Sequence, residues 1–155
     1  MNIKTSIFLL LLIALTGCGF KAVDQNFLKE FKFVETNISG DKRISYLLRN
    51  KLKIENKNAT KSLKINIIAL KTKTIKEKNI QNEITKYEIK IDANVEYYVV
   101  EANKNGKFLI SKKENYNVGS RYSETLNNEK KLTKTLVNDI TEQILKSLKL
   151  NLDEL

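Results

Sequence analysis

The stretch YEIKIDANVEYYV, residues 87–99, shows the clearest periodicity in this chain. Every second residue is apolar, and most of the residues between are charged or polar. The apolar set is Tyr87, Ile89, Ile91, Ala93, Val95, Tyr97 and Val99, and the polar set is Glu88, Lys90, Asp92, Asn94 and Glu96. Strict alternation predicts a β-strand with one face on a core and the other facing water or a partner.

The neighbouring segments predict further strands of the same sheet. Upstream, the apolar residues Leu63, Ile65, Ile67 and Ala69 alternate with polar ones. This strand continues through residues 71–78, which are β-branched or charged, so we expect a hairpin that extends beyond the core. Downstream, Asn103-Lys104-Asn105-Gly106 predicts a hairpin turn, because its Asn-Gly pair adopts positive φ angles, and the fourth strand then begins near Phe108.

Two helices complete the prediction. One is expected over residues 41–53, after a first strand at residues 29–36. The other follows Gly119, with Ser123 or Thr125 as its cap, and ends near Lys149. Its apolar stripe is Leu132, Leu136/Val137, Ile140, Ile144 and Leu148. The order β-α-β-β-β-α predicts an α+β two-layer sandwich, a four-stranded mainly antiparallel sheet with two helices on one face.

Composition excludes several kinds of chemistry. The 155 residues contain no His and one Cys, which excludes His/Cys metal clusters, Ser-His-Asp or Cys-His catalysis and an internal disulfide. The recurring carboxylates Glu88, Asp92 and Glu96 fit solvated positions on a sheet better than a catalytic pair. We therefore expect neither enzymatic activity nor a cofactor.

The amino terminus predicts export. Lys4 precedes an apolar run at residues 7–15, which is too short to span a bilayer and is followed by Leu15-Thr16-Gly17-Cys18. This segment resembles the bacterial lipobox. The resemblance implies a lipoprotein signal peptide at residues 1–17, acylation of Cys18, and a single lipid-anchored domain at residues 18–155. The alternative is an ordinary secretory signal.

Positive charge concentrates in two groups of lysines, within a formal net charge of +10. The first group, in the hairpin extension, is Lys71, Lys73, Lys76 and Lys78, and the second is Lys104, Lys107, Lys112 and Lys113. Export argues against nucleic acid as a partner and favours phosphorylated glycolipids, which lysine contacts as a point charge. We therefore take the first group as candidate lipopolysaccharide-binding residues. The alternative is ordinary solvated surface lysine.

Three segments together resemble the lipopolysaccharide-assembly lipoprotein family, LptE, particularly its alphaproteobacterial branch. They are LTGCGF at residues 15–20, LRNKL at residues 48–52 and YNVGSRYS at residues 116–123. Ser123 replaces a usual Ala, and the proline that commonly follows C-G-F is absent.

This resemblance implies a function without covalent chemistry. The domain would be anchored by lipid to the cell outer membrane, facing the periplasm. It would sit as a plug inside LptD, a large outer-membrane β-barrel, in a one-to-one complex that delivers lipopolysaccharide to the surface. The charged face at residues 88–96 suits the wet interior of such a barrel. The alternatives are a lipid carrier that acts alone and an envelope enzyme.

Overall fold

The computed structural model describes residues 31–52 and 59–152. The predicted signal segment and Cys18 lie outside the described residues. The elements in chain order are β1 (Phe31–Gly40), α1 (Lys42–Lys51), β2 (Lys61–Lys78), β3 (Ile84–Val99), β4 (Lys104–Asn117) and α2 (Tyr122–Leu152). They form the α+β architecture that the sequence predicts, one four-stranded sheet with two helices.

The strands lie side by side in chain order. β2, β3 and β4 pair antiparallel, whereas β1 pairs parallel with β2. A parallel pair needs a crossover connection, and here the connection that contains α1 supplies it. The sheet is therefore mainly antiparallel, as predicted, with its one parallel pair at the β1 edge.

The start of α1 is fixed by two adjacent residues. Asp41 caps the helix, since its carboxylate accepts hydrogen bonds from the backbone amides of Arg43 and Ile44, each at 3.0 Å. Gly40 has a φ of +102°, and a Cβ there would lie 2.1 Å from the carbonyl oxygen of Ala69. Only glycine fits this junction. β1 stays paired with β2 as far as Gly40, so it does not end near residue 36 as predicted.

The core lies between the helices and one face of the sheet. The predicted apolar set of β3 from Ile89 to Val99 is buried, and Tyr87 packs against the core partly buried. The stripe of α2 is also confirmed, with Leu132 half-buried and the remaining members buried. Ile44 and Leu48 of α1 close the core from the side of β1. The apolar residues of β3 and of α2 therefore pack against each other in one core.

Two further local predictions are wrong. The turn between β3 and β4 occupies residues 100–103 instead of 103–106, Asn103 has the positive φ of 49°, and Asn105-Gly106 lies within β4. Gly106 instead faces Tyr97, whose hydroxyl oxygen would lie 2.4 Å from an added Cβ. Ser123 and Thr125 do not cap α2, because the helix begins at Tyr122 and both lie in its first turn.

Candidate functional site: the basic hairpin and the open sheet face

The basic hairpin, residues 71–86, divides its lysines between the two faces of the sheet. Lys71 and Lys73 pair with the buried residues Ile91 and Ile89 of β3, so they lie on the face that the helices cover. A register shift between Ile75 and Glu77 then interrupts the ladder. The hairpin is present as predicted, but the first half of its basic stretch is covered by α2.

Glu129 of α2 joins the two covered lysines. Its carboxylate accepts hydrogen bonds from Lys71 Nζ at 2.6 Å, from Lys73 Nζ at 2.8 Å and from Tyr116 Oη at 3.0 Å. The Glu129 side chain is 19% exposed and that of Lys71 14% exposed. One carboxylate thus connects β2, β4 and α2, and solvent screens its contact with Lys71 less than its contact with the more exposed Lys73.

Two stacked tyrosine rings complete this cluster. Tyr87 and Tyr116 face each other across β3 and β4, with ring centroids 5.7 Å apart and an interplanar angle of 25°. The Lys73 ammonium lies 4.2 Å from the centroid of the Tyr87 ring, within the range of a cation–π interaction. We call Lys71, Lys73, Tyr87, Tyr116 and Glu129 the hairpin cluster.

The pKa values of the hairpin cluster reflect its mutual hydrogen bonding. Burial alone would raise the pKa of Glu129, but the hydrogen bonds from Lys71, Lys73 and Tyr116 outweigh it and lower the pKa to about 2. Burial would lower the pKa of Lys73, and its hydrogen bonds to Glu129 and Tyr116 outweigh this and raise it. Burial raises the pKa of Tyr116. At neutral pH Glu129 is therefore a carboxylate, Lys73 an ammonium group and Tyr116 a neutral phenol.

The other two predicted lysines, Lys76 and Lys78, are exposed. Lys76 Nζ lies 3.6 Å from the carboxylate of Glu88 on the opposite face of the sheet from the helices. Lys78 Nζ donates to the side-chain oxygen of Asn82 in the hairpin turn at 2.9 Å. These contacts are at the surface and contribute little to stability, so both ammonium groups are available to an anionic ligand.

The open face is the side of the sheet away from α1 and α2. Its positions on β3 are Glu88, Lys90, Asp92, Asn94, Glu96 and Tyr98, the polar set of the sequence analysis extended by one residue. Lys90 and Asp92 form an ion pair at 2.9 Å, and Lys64 of β2 pairs with Glu35 of β1 at 3.2 Å. In the second lysine group, Lys107 and Lys113 share this face, whereas Lys104 and Lys112 lie on the other.

Two of the surface clefts among the described residues have volumes of about 360 Å³ each, and the first has a mainly polar lining, whereas the second is lined about equally by polar and apolar groups. One lies between the helices at Lys51, Asn138, Thr141 and Glu142, and the other lies beside Tyr97 at the β4 edge. Within residues 31–52 and 59–152, no group of three or more acidic, His or Cys side chains is arranged to hold a metal ion. No helix in those ranges has the length and apolarity needed to cross a membrane.

No family model matches this sequence, and no curated protein matches it. The fold is similar to that of rare lipoprotein B from Shewanella oneidensis, with a TM-score of 0.54 and 18% identity, over 77% of this chain and 98% of that one. It is also similar to a minor lipoprotein from Acinetobacter baumannii, with a TM-score of 0.51 and 10% identity, over 80% and 95%. Lipoprotein B from Nitrosomonas europaea has a TM-score of 0.50 and 15% identity, over 84% and 90%. These likenesses show that the chain has the fold of these lipoproteins.

Proposed function

We propose that this protein is an outer-membrane lipoprotein that plugs and stabilises an LptD-type β-barrel and assists the assembly of lipopolysaccharide at the cell surface. The observation that carries the proposal is the lipoprotein fold, found in a chain whose residues 15–18 resemble a lipobox. The role is one of binding and positioning, and it needs no covalent chemistry. A single domain with polar and charged outer surfaces is sufficient for it.

The surface of the domain supports the plug role. A plug must present hydrogen-bonding side chains to a wet barrel interior, and the open face carries Glu88, Lys90, Asp92, Asn94 and Glu96 in one row along β3. The helices bury their apolar stripes against the sheet and leave charged residues outside. The outer sides of the domain therefore carry polar groups that suit the wet interior of a barrel.

The lipopolysaccharide contact that we propose is narrower than the four lysines of the sequence analysis. Lys71 and Lys73 are held by Glu129, whereas Lys76 and Lys78 keep their ammonium groups at the surface. We expect the double variant Lys76→Ser/Lys78→Ser to weaken lipopolysaccharide binding without lowering the melting temperature. The matched variant Lys71→Ser/Lys73→Ser should lower the melting temperature, because it leaves Glu129 without its cations. Unchanged binding by the first variant would remove Lys76 and Lys78 from the proposal.

A lipid carrier that acts alone would need a deep apolar cavity. Of the two clefts described above, one has a mainly polar lining and the other an evenly mixed one, and both are open to solvent, so neither is the deep apolar cavity that an acyl chain needs. We therefore favour the plug over the carrier. Stoichiometric extraction of lipid by the isolated protein would reverse this preference.

The test of the proposed function is an affinity pull-down of the full-length protein from detergent-extracted native envelopes, with identification of the recovered proteins by mass spectrometry. We expect a stable one-to-one complex with an LptD-type barrel. Recovery of lipid alone, with no barrel at any salt concentration, would overturn the plug role.

The anchor has a separate test. Cys18→Ala should abolish labelling with radioactive fatty acid, because the thiol is the proposed acyl acceptor. A variant that still incorporates the label would contradict lipidation at Cys18. It would leave the fold and the barrel complex open to their own tests.

A further inference from the structure

The open face carries a small apolar centre that the fold does not bury. Ile68, Asn94 and Leu109 lie side by side on β2, β3 and β4, and Leu70 follows two residues after Ile68 on the same face. The three apolar residues are exposed by 42% (Ile68), 53% (Leu70) and 60% (Leu109). Because α1 and α2 both pack on the other face, no other part of residues 31–52 and 59–152 buries these side chains.

Polar and charged residues surround this centre on every side along β2, β3 and β4. Paired residues of β2, β3 and β4 form rows across the sheet. The row next to the centre on the side of the turn at residues 100–103 is Asn66, Glu96 and Lys107. On the other side, Leu70 shares a row with Asp92 and Ser111, and the row after it is Thr72, Lys90 and Lys113. An apolar centre inside a polar rim is the anatomy of a protein–protein interface. A solvated sheet face usually exposes apolar residues only singly, whereas Ile68 and Leu70 are neighbours on the same face of β2.

The charges indicate the partner. Three lysines lie in the rows next to the centre, Lys90, Lys107 and Lys113, against the two carboxylates Asp92 and Glu96. Lys76 and Lys113 share the carboxylate of Glu88 at 3.6 and 3.9 Å. The chain as a whole has a formal net charge of +10, so a second copy would be repelled. The complementary surface therefore has an apolar centre and a surplus of carboxylates.

We propose that the open face, centred on Ile68, Leu70 and Leu109, is the surface through which this protein docks on an acidic protein wall. The identity of that wall as the inner surface of the barrel rests on the proposed function. In this arrangement α1 and α2 face away from the contact. The apolar centre supplies affinity, and the lysine rim fixes orientation and excludes basic surfaces.

The experiment measures how much barrel the full-length lipidated protein recovers when the two are co-expressed. Leu109→Ser removes an apolar contact from the centre and should reduce recovery about tenfold, as loss of a central interface residue does. Leu150→Ser is the matched control, because Leu150 on α2 is 63% exposed and lies off the open face. Both variants should keep the melting temperature of the parent, since neither side chain is buried.

Charge is tested with a second matched pair. Lys107→Glu at the rim should also reduce recovery, and the reduction should become smaller as salt is raised. Lys134→Glu, at an exposed position of α2, should not reduce it. Equal effects of these two substitutions would show that overall charge matters and the open face does not, which would overturn the proposal.

The outcomes separate this inference from the proposed function. If the parent protein recovers the barrel and Leu109→Ser recovers as much, the open face is not the docking surface and the plug role stands. If the parent recovers no barrel, the proposed function fails and this inference falls with it. A photoreactive amino acid at position 109 that crosslinks to residues 19–30 of the same chain, instead of to the barrel, would also overturn the inference.

Discussion

Glu129→Gln is the substitution that tests the hairpin cluster most directly. The side chain keeps its shape, but it loses the charge that Lys71 and Lys73 share and can no longer match two ammonium groups. Lys71 is only 14% exposed, so it would be left almost buried without a counterion. We expect the protein to fold, with a lower free energy of unfolding at neutral pH.

The size of the loss follows from the pKa of Glu129. Folding lowers this pKa from 4.5 to about 2, and each unit corresponds to about 1.36 kcal/mol, which sets a ceiling of roughly 3 kcal/mol. The Lys73 side chain is 37% exposed, so solvent screening reduces the part of this stabilisation that comes from the Lys73–Glu129 contact. We therefore expect Glu129→Gln to cost about 2 kcal/mol at pH 7.

The pH dependence has a definite sign. Because the folded-state pKa is depressed, the contribution of Glu129 is fully present above about pH 4.5 and is lost as the pH falls towards about 2. The stability difference between the parent and Glu129→Gln should therefore shrink to less than half its neutral value by about pH 3. Lysine and tyrosine do not titrate in this window, so the carboxylate alone accounts for the change.

The assay is urea-induced unfolding of the purified protein, followed by circular dichroism at pH 7, 5 and 3, with unchanged m-values as the condition for comparing midpoints. Glu142→Gln is the control, because Glu142 is an exposed carboxylate on the same helix. It should change the free energy of unfolding by less than about 0.5 kcal/mol. A loss that small for Glu129→Gln at pH 7, or a loss that is the same at pH 3 and pH 7, would refute the reasoning.

Substitutions at three further positions test local features of the fold by the same unfolding assay. Gly40→Ala should cost more than about 2 kcal/mol, because φ is +102° and the added Cβ would lie 2.1 Å from the carbonyl oxygen of Ala69; a neutral effect would contradict this geometry. Gly106→Ala should cost about 1–3 kcal/mol and alter the near-ultraviolet signal of Tyr97, whose ring occupies the space of a Cβ; an unchanged signal would count against that contact. Asp41→Ala should lower the free energy of unfolding by about 1 kcal/mol and Asp41→Asn by much less, because the side-chain oxygen of either aspartate or asparagine can accept the amide hydrogen bonds. Equal losses would mean that these hydrogen bonds are not the contribution of Asp41.

The long periodic segments could be predicted from the sequence because packing imposes their period. A strand with one buried face must alternate, and β3 does so from Ile89 to Val99. A long helix on one face of a sheet must repeat every three or four residues, and α2 does so from Leu132 to Leu148. The element order then leaves few arrangements other than helices on one side of the sheet.

The turn between β3 and β4 was mispredicted because an Asn-Gly pair is used in two different structural settings. Its preference for positive φ predicts a two-residue hairpin loop, but glycine also serves where a bulky neighbour takes the place of a Cβ. Tyr97 is such a neighbour of Gly106. The chain therefore turns earlier, at residues 100–103, and uses Asn103 for the positive φ. Only the pairing across the two strands distinguishes these two uses of glycine.

Glu129 was missed because its residue type and its position give opposite indications. It lies seven residues before Leu136, so it continues the apolar stripe of α2 by two turns, yet a carboxylate is expected in solvent. Lys71 and Lys73 likewise share the inward parity of Ile67 and Ala69. Each pattern by itself predicts an exposed charge. The conflict disappears only when the strand and the helix are placed together, since the carboxylate of Glu129 is then the partner of both lysines.

The same placement separates stability from binding in this domain. On the covered face, the hairpin cluster uses lysine charge to hold α2 to the sheet, so those charges are already neutralised in part. On the open face, the lysine rim and the apolar centre around Leu109 are left for a partner. Glu129→Gln should therefore lower stability while the folded protein still recovers the barrel, and Leu109→Ser should do the reverse. A variant on one face that impaired both properties equally would mean that the two faces are coupled through the sheet, and the open face would then owe its shape to the hairpin cluster.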